Sequence, residues 1–75
     1  MSVTIHWEPC GTKKPHFRGG RSASLEVLKE TFGHEIHAKD VGVLRGMAIA
    51  ANDEFYNEVA DVVEKHGDIK FWGEY

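Results

Sequence analysis

Residues 3–8 read VTIHWE, a stretch in which apolar and polar side chains alternate. This period of two, with β-branched and aromatic residues among its members, predicts a half-buried β-strand. Pro9 has no backbone N–H to donate to a ladder and therefore ends the strand. The sequence IKFW at residues 69–72 has the same alternation. The first and last segments are thus the two predicted strands, and we expect them to pair antiparallel.

The first helix is predicted to end at Phe32, with Ser22 or Ser24 as its N-cap. A glycine follows Phe32 and suits the left-handed residue that often ends a helix. The connector after it is expected to be extended around Ile36. The helix would bury one face formed by residues at helical spacing: Leu25, Leu28 and Phe32.

A second helical pattern begins at Asp40, a plausible N-cap, and continues to His66. One helix of this length would span about 40 Å, which is too long for so small a domain. We therefore predict two helices divided near Asn52, where Asn52 or Asp53 caps the second. The apolar stripe has unbroken gaps of three and four: Val41, Leu44, Ala48, Ala51, Phe55, Val59, Val62 and His66.

Together these segments predict an α+β fold in a single domain of residues 1–75. Two antiparallel terminal strands would carry two to three α-helices on one face. A chain of 75 residues buries only about 60% of its unfolded surface, so the core is thin. Because a two-stranded ribbon leaves exposed edges, pairing with a second copy as a homodimer is an open alternative.

Composition limits the classes of protein. With 41% hydrophobic and 28% charged residues, the chain is globular rather than disordered. A single cysteine permits no internal disulfide and fits a reducing compartment. The N-terminus lacks a signal-peptide pattern, and no apolar run approaches the roughly 20 residues that cross a bilayer. We expect a cytoplasmic protein without a membrane partner or a cofactor.

A basic loop at residues 9–21 stands out in a chain of net charge −3, because it contains no acidic residue. Cations beside an aromatic ring on a glycine-rich backbone can neutralise phosphates and stack on a base, and the following helix start can bind an anion. The alternative is a solvated loop, neutralised by the acidic helix of a neighbouring copy. The candidate anion or nucleic-acid residues are Lys13, Lys14, Phe17, Arg18, Arg21 and Ser22.

Residues 53–68 carry the opposite charge, with six carboxylates against Lys65 alone. This acidic helix is a candidate face for a basic partner: Asp53, Glu54, Glu58, Asp61 and Glu64. A second candidate surface is aromatic. If the apolar residues of the two strands face the helices, the residues that alternate with them project from the outer face of the sheet. Exposed aromatic side chains surrounded by charged residues often anchor protein interfaces. The candidate residues of this surface are His6, Trp72 and Tyr75.

Metal and catalytic sites have little support. The motif HEIH at residues 34–37 spaces its histidines at i and i+3, whereas a helical zinc motif needs i and i+4. A site using Cys10, His16, His34 and His37 would have to combine two loops. Cys10 with His6 or His16 could form a nucleophile and base, but nothing marks a buried orienting residue or an oxyanion hole. The carboxylates suit a solvated face. We therefore predict no metal, no catalytic residues and no enzymatic activity.

Gly42, Gly46 and Ala50 recur every four residues and give the central helix a small-residue face. Glycine inside a helix costs roughly 1 kcal/mol relative to alanine, so close packing is the expected compensation. We expect that contact to be internal, against the helix of residues 22–32, with a partner helix as the alternative.

No motif ties the chain to a family. Its small size, acidic charge and lack of a catalytic signature are similar in kind to phage-encoded inhibitors of host machinery, including anti-CRISPR proteins. The leading hypothesis is therefore a non-enzymatic binding protein that occupies a macromolecular partner through the acidic helix and the aromatics. The alternative is a small regulatory protein that binds nucleic acid or phosphate through the basic loop.

Overall fold

The computed structural model describes residues 3–8, 17 and 21–74. Three helices and a three-stranded antiparallel sheet confirm the predicted α+β class. A short 3-10 helix, Ala38–Asp40, precedes α2. The elements in chain order are β1 (Thr4–Glu8), α1 (Ser22–Phe32), β2 (Glu35–Ile36), α2 (Val41–Ala51), α3 (Phe55–His66) and β3 (Ile69–Glu74).

The sheet has the order β1-β3-β2, with the C-terminal strand in the middle. The predicted antiparallel pairing of the terminal strands is confirmed, with Trp7 opposite Phe71 and Thr4 opposite Glu74. β2 is an addition to the two predicted strands, and it pairs Ile36 with Ile69. Two residues are too few to show a period, so only their extended conformation was predictable from the sequence.

Alternation along β1 and β3 gives the sheet one apolar face, as predicted. Ile5 and Phe71 are almost completely buried on this face, and Trp7 lies beside them. Gly73 belongs to the same face, because it pairs with Ile5. A Cβ atom at Gly73 would overlap Cδ2 of Leu25 and come within 3.0 Å of Val3. The missing side chain therefore lets α1 approach the sheet closely.

The N-terminus of α1 differs from the prediction that a serine caps it. Arg21 is the N-cap residue, with an extended backbone and no side-chain capping bond, and its carbonyl accepts a hydrogen bond from Leu25 N–H. Ser22 is already helical, and Ser24 is buried within the first turn. The C-terminus ends as expected, with Gly33 at a φ of 76°.

The division between α2 and α3 at Asn52 is confirmed. Asn52 adopts the left-handed conformation, with a φ of 51°, and ends α2. Asp53 then caps the next helix, because its Oδ1 accepts a hydrogen bond of 3.0 Å from Phe55 N–H. Asp40 is the N-cap residue of α2, as predicted, but its side chain makes no capping bond to α2, since the carboxylate accepts from His37 N–H at 2.9 Å instead.

The apolar stripe of α2 and α3 is only partly as predicted. Leu44, Ala48, Phe55 and Val59 are buried, whereas Ala51 is exposed. The helix axis turns at the break, so the buried face of α3 is displaced from the continuous stripe. The buried side chains of α3 are Phe55, Tyr56, Val59, Ala60 and Val63.

Phe17 belongs to the core, with only 3% of its surface exposed. Its N–H donates a 2.9 Å hydrogen bond to Ile5 O on the side of β1 that faces away from β3. Its ring lies 6.1 Å from that of Trp7 and 5.7 Å, edge-on, from that of Phe55. One residue thus connects the edge of the sheet to the start of α3.

Within residues 22–66, the structure contains no helix of the length and apolar character that a membrane span requires.

Replacement of Gly73 by alanine should destabilise the protein by about 1–3 kcal/mol, the usual cost of an extra methyl group in a filled core. The physical reason is the overlap with Leu25, which is itself fully buried. Urea unfolding followed by circular dichroism measures the change. Gly42→Ala is the matched control, because open space surrounds that position, and it should leave stability unchanged or slightly raised. Equal stability of both variants would contradict this account of Gly73.

Candidate functional site: an acidic cleft beside α3

An open cleft of about 540 Å³ lies between the N-terminus of α1 and the first two turns of α3. α3 forms its wall because the helix is strongly amphipathic, with its apolar side against the core and its carboxylates outward. Four of the five carboxylates predicted to face a partner come together here. The cleft is lined by Arg21, Ser24, Asp53, Glu54, Phe55, Asn57, Glu58 and Asp61.

Arg45 of α2 compensates part of this acidic surface. Its guanidinium Nη2 lies 2.7 Å from Asp61 Oδ1 and 2.9 Å from Glu64 Oε1, while Nη1 donates to the backbone and side-chain oxygens of Asn57. The hydrogen bonds that Arg45 donates to Asp61 and Glu64 raise its pKa above the usual value. Asp61 and Glu64 therefore form ion pairs within the protein, with Arg45.

Asp53 and Glu54, in contrast, accept hydrogen bonds from neutral donors. Asp53 accepts from the backbone of Phe55, and Glu54 Oε2 accepts from the amide of Asn57 at 3.1 Å. Such neutral donors hold the carboxylates in place without neutralising their negative charge. The negative end of the cleft thus lies at the start of α3, with Glu58 one turn further along.

Arg21 is the described cation of the basic loop, and it lies on the rim of this acidic cleft. The structure does not describe Lys13, Lys14 or Arg18, and Ser22 is half-buried in the first turn of α1. The expectation that Phe17 stacks on a nucleic-acid base is wrong, since its ring is enclosed between Trp7 and Phe55.

The predicted aromatic surface also needs correction. His6 lies on the outer face of the sheet, as expected, but it is covered there rather than exposed, stacked 5.7 Å from the ring of Trp72. Its Nε2 lies 2.7 Å from Glu74 Oε2. Trp72 is half-buried, and Tyr75 lies outside the described residues. The ring of Trp72 and the carboxylate of Glu74 thus cover His6, which the alternation of the strand alone predicts to be exposed.

The aromatic pair and the acidic cleft lie on different sides of the molecule. His6 and Trp72 alternate with the core residues of their strands, so they point away from the helices. The cleft, in contrast, is formed by α1 and α3 on the helical side. The two predicted contact surfaces therefore do not make one continuous surface.

The histidines of the HEIH motif serve the fold. His34 accepts a backbone hydrogen bond from Phe71 N–H, and His37 Nδ1 lies 3.1 Å from Asp68 Oδ2. In residues 3–8, 17 and 21–74, no group of three or more histidine, cysteine, aspartate or glutamate side chains could hold a metal ion. Cys10 and His16 lie outside these ranges.

The small-residue face of α2 points outward. Gly42, Gly46 and Ala50 are exposed, and a Cβ atom at either glycine would meet nothing within 4 Å. The predicted internal contact with α1 is therefore wrong. The cause is helical geometry, because Leu44 and Ala48 bury the opposite side of α2.

The roles of two cations, one on the rim of the cleft and one beside it, were not predicted from the sequence. Arg45 was not predicted to take part, because its neighbours in the sequence are apolar. It is the one charged residue of α2, and a single charge in an apolar helix is a signal that could have identified it. Arg21 was assigned to the basic loop, and only the approach of α1 to α3 brings it to the carboxylates.

Comparisons of the chain with protein-family models, with curated proteins and with solved structures found no match. The functional argument therefore depends on the cleft and on the surfaces around it.

Asp68 should titrate below its usual pKa of 3.8, because the side chain of His37 and then Ala38 N–H stabilise its ionised form. A lowered pKa in the folded state means that this stabilisation is present above the unfolded pKa and lost as the pH falls through the folded value. We expect His37→Gln to raise the pKa of Asp68 toward 3.8, measured by NMR of the carboxyl carbon. Lys65→Gln is the control, and an equal shift there would contradict the assignment.

Proposed function

We propose that this protein is a non-enzymatic binding protein that covers a basic surface of a macromolecular partner and contacts it through the acidic cleft. The observation that supports this most is the cleft itself, where Asp53, Glu54 and Glu58 converge on about 540 Å³ of open space. A lysine or arginine side chain of the partner would enter it and pair with these carboxylates.

The pairing of Arg45 with Asp61 and Glu64 supports the proposal that the carboxylates at the start of α3 make the contact with the partner. An arginine held between two carboxylates and Asn57 fixes α3 against α2. The carboxylates at the start of α3 are then presented from a rigid wall, which lowers the entropy cost of binding. Charge complementarity of this kind contributes to specificity and to the association rate.

Occupation of a basic surface is a means of inhibition when that surface normally holds nucleic acid. Carboxylates on a helix present negative charge to lysine and arginine side chains, as phosphates do. We therefore propose an inhibitor that competes with nucleic acid, of the general kind that phages use against host machinery.

The aromatic residues have a separate place in this proposal. Because His6 and Trp72 are on the sheet side of the molecule, they would not share the contact that the cleft makes. His6 and Trp72 therefore lie outside the proposed primary contact, and Tyr75 is the aromatic residue proposed for it.

Neutralising the cleft without disturbing the fold tests the proposal. The double variant Glu54→Gln/Glu58→Gln retains the shape of both side chains and removes their two charges. Capture of the partner from a lysate of the source organism should therefore fall at least 10-fold. Asp53 and Asp61 are left intact because they cap α3 and pair with Arg45. Glu26→Gln/Glu30→Gln removes the same charge from the exposed side of α1 and should capture as the wild type does.

Capture is quantified by mass spectrometry of the bound proteins at increasing salt, which should weaken the contact. Equal recovery by the cleft variant and the wild type would overturn the role of the cleft.

The alternative, binding of nucleic acid or phosphate through the basic loop, has a distinct signature. It requires a gel shift at about 50 mM salt that declines steeply as salt rises and that is lost in Lys13→Gln/Lys14→Gln. The position of Arg21 among carboxylates disfavours it, since those charges repel a phosphate.

A further inference from the structure

The side chain of Asn57 connects two groups of opposite charge at the start of α3. Its Oδ1 accepts a 3.2 Å hydrogen bond from Nη1 of Arg45 on α2. Its Nδ2 donates a 3.1 Å hydrogen bond to Oε2 of Glu54 on the wall of the cleft. Asn57 is half-buried, whereas Glu54 is exposed. A guanidinium on one helix is thus linked through a single amide to a carboxylate at the start of the next helix.

Charge fixes which way this amide points. A guanidinium carries only N–H donors, and an ionised carboxylate only accepts hydrogen bonds. The reverse orientation would place the amide NH2 against Arg45 and the amide oxygen against Glu54, and both contacts would be repulsive. The positive charge also polarises the amide, which strengthens its N–H as a donor. The bond from Asn57 to Glu54 therefore depends on a residue of the neighbouring helix.

We infer that Arg45 is a positioning residue of the acidic cleft, which holds the Glu54 carboxylate in place through the amide of Asn57. This inference rests on the function proposed for the cleft. An exposed glutamate samples several rotamers and loses that freedom when it binds a partner. In the part of the chain that the structure describes, the Asn57 amide is the one group that binds the Glu54 carboxylate. Restriction of Glu54 before the partner arrives lowers the cost of association.

The variant Asn57→Asp separates this role from a purely structural one. It retains the shape of the side chain and an oxygen for Arg45, so the contact between α2 and α3 is preserved. It replaces the N–H donor with a second oxygen, which repels Glu54. Asn52→Asp is the matched control, because it adds the same charge at an exposed position before α3 and aspartate also tolerates the left-handed conformation. Charge alone predicts tighter binding of a cation by both variants, whereas positioning predicts weaker binding by Asn57→Asp.

Scalar couplings measured by NMR report the rotamers of Glu54 without any partner. We expect one dominant rotamer in the wild type and in Asn52→Asp, and averaged couplings in Asn57→Asp. Arg45→Lys keeps the positive charge, but an ammonium group does not reproduce the planar fork of a guanidinium, so the couplings of Glu54 should be averaged there too. The Arg45 side chain is 36% exposed, and circular dichroism checks that each variant is folded.

An octa-arginine peptide is the probe for binding at the cleft, followed by NMR titration at about 150 mM salt. Asn57→Asp should bind this peptide about threefold or more weakly than the wild type, despite its added negative charge, because Glu54 is no longer held in place. Asn52→Asp should bind it at least as tightly as the wild type.

Two results would overturn the positioning role. Binding by Asn57→Asp that equals or exceeds binding by Asn52→Asp would mean that charge alone acts. Unchanged couplings of Glu54 in Arg45→Lys would exclude Arg45 as the residue that positions it. A separate result concerns the function of the cleft: an octa-arginine peptide that leaves the wild-type resonances of Glu54 and Glu58 unshifted would contradict the proposed function and any binding role of Arg45, whatever the couplings show.

Discussion

The antiparallel pairing of β1 with β3 brings residues 4–8 and 69–74 together and forms the apolar sheet face on which the core is built. Bringing distant segments together costs loop-closure entropy, and the chain recovers this by burial of Ile5, Trp7 and Phe71 beneath the helices. β3 is also the only described partner of β2. Without this pairing, α1 and α3 would lose the apolar sheet face that closes the core beneath them.

Phe17 extends this constraint to the helical side of the molecule. Its N–H satisfies Ile5 O at the outer edge of β1, which protects an edge that would otherwise be open to other chains. Its ring then contacts both Trp7 and Phe55. Because Phe55 is the first residue of α3, the same contact fixes the place where the carboxylates of the cleft begin. The acidic site is thus positioned by the hydrophobic core.

The sequence predicted local elements well and the contacts between distant residues poorly. Alternation located the terminal strands, and Asn52 marked the helix break, because both signals act within a few residues. The burial of Phe17 had no local signal, since it depends on the sheet edge. The pairing of Arg45 with Asp61 and Glu64 depends on how two helices cross. The carboxylates themselves were predicted, whereas Arg21 was assigned to a separate surface.

The two exposed glycines of α2 have an energetic consequence. Each costs about 1 kcal/mol relative to alanine inside a helix, and neither gains an internal contact, because open space surrounds both. A chain of 75 residues has a thin core with little stability to spare. Within the described residues, α2 buries Leu44 and Ala48 and packs Val41 and Met47 against the core, whereas the ion pairs of Arg45 are largely exposed and contribute little. Alanine at Gly42 or Gly46 would therefore favour the helical state of α2 without displacing any neighbour.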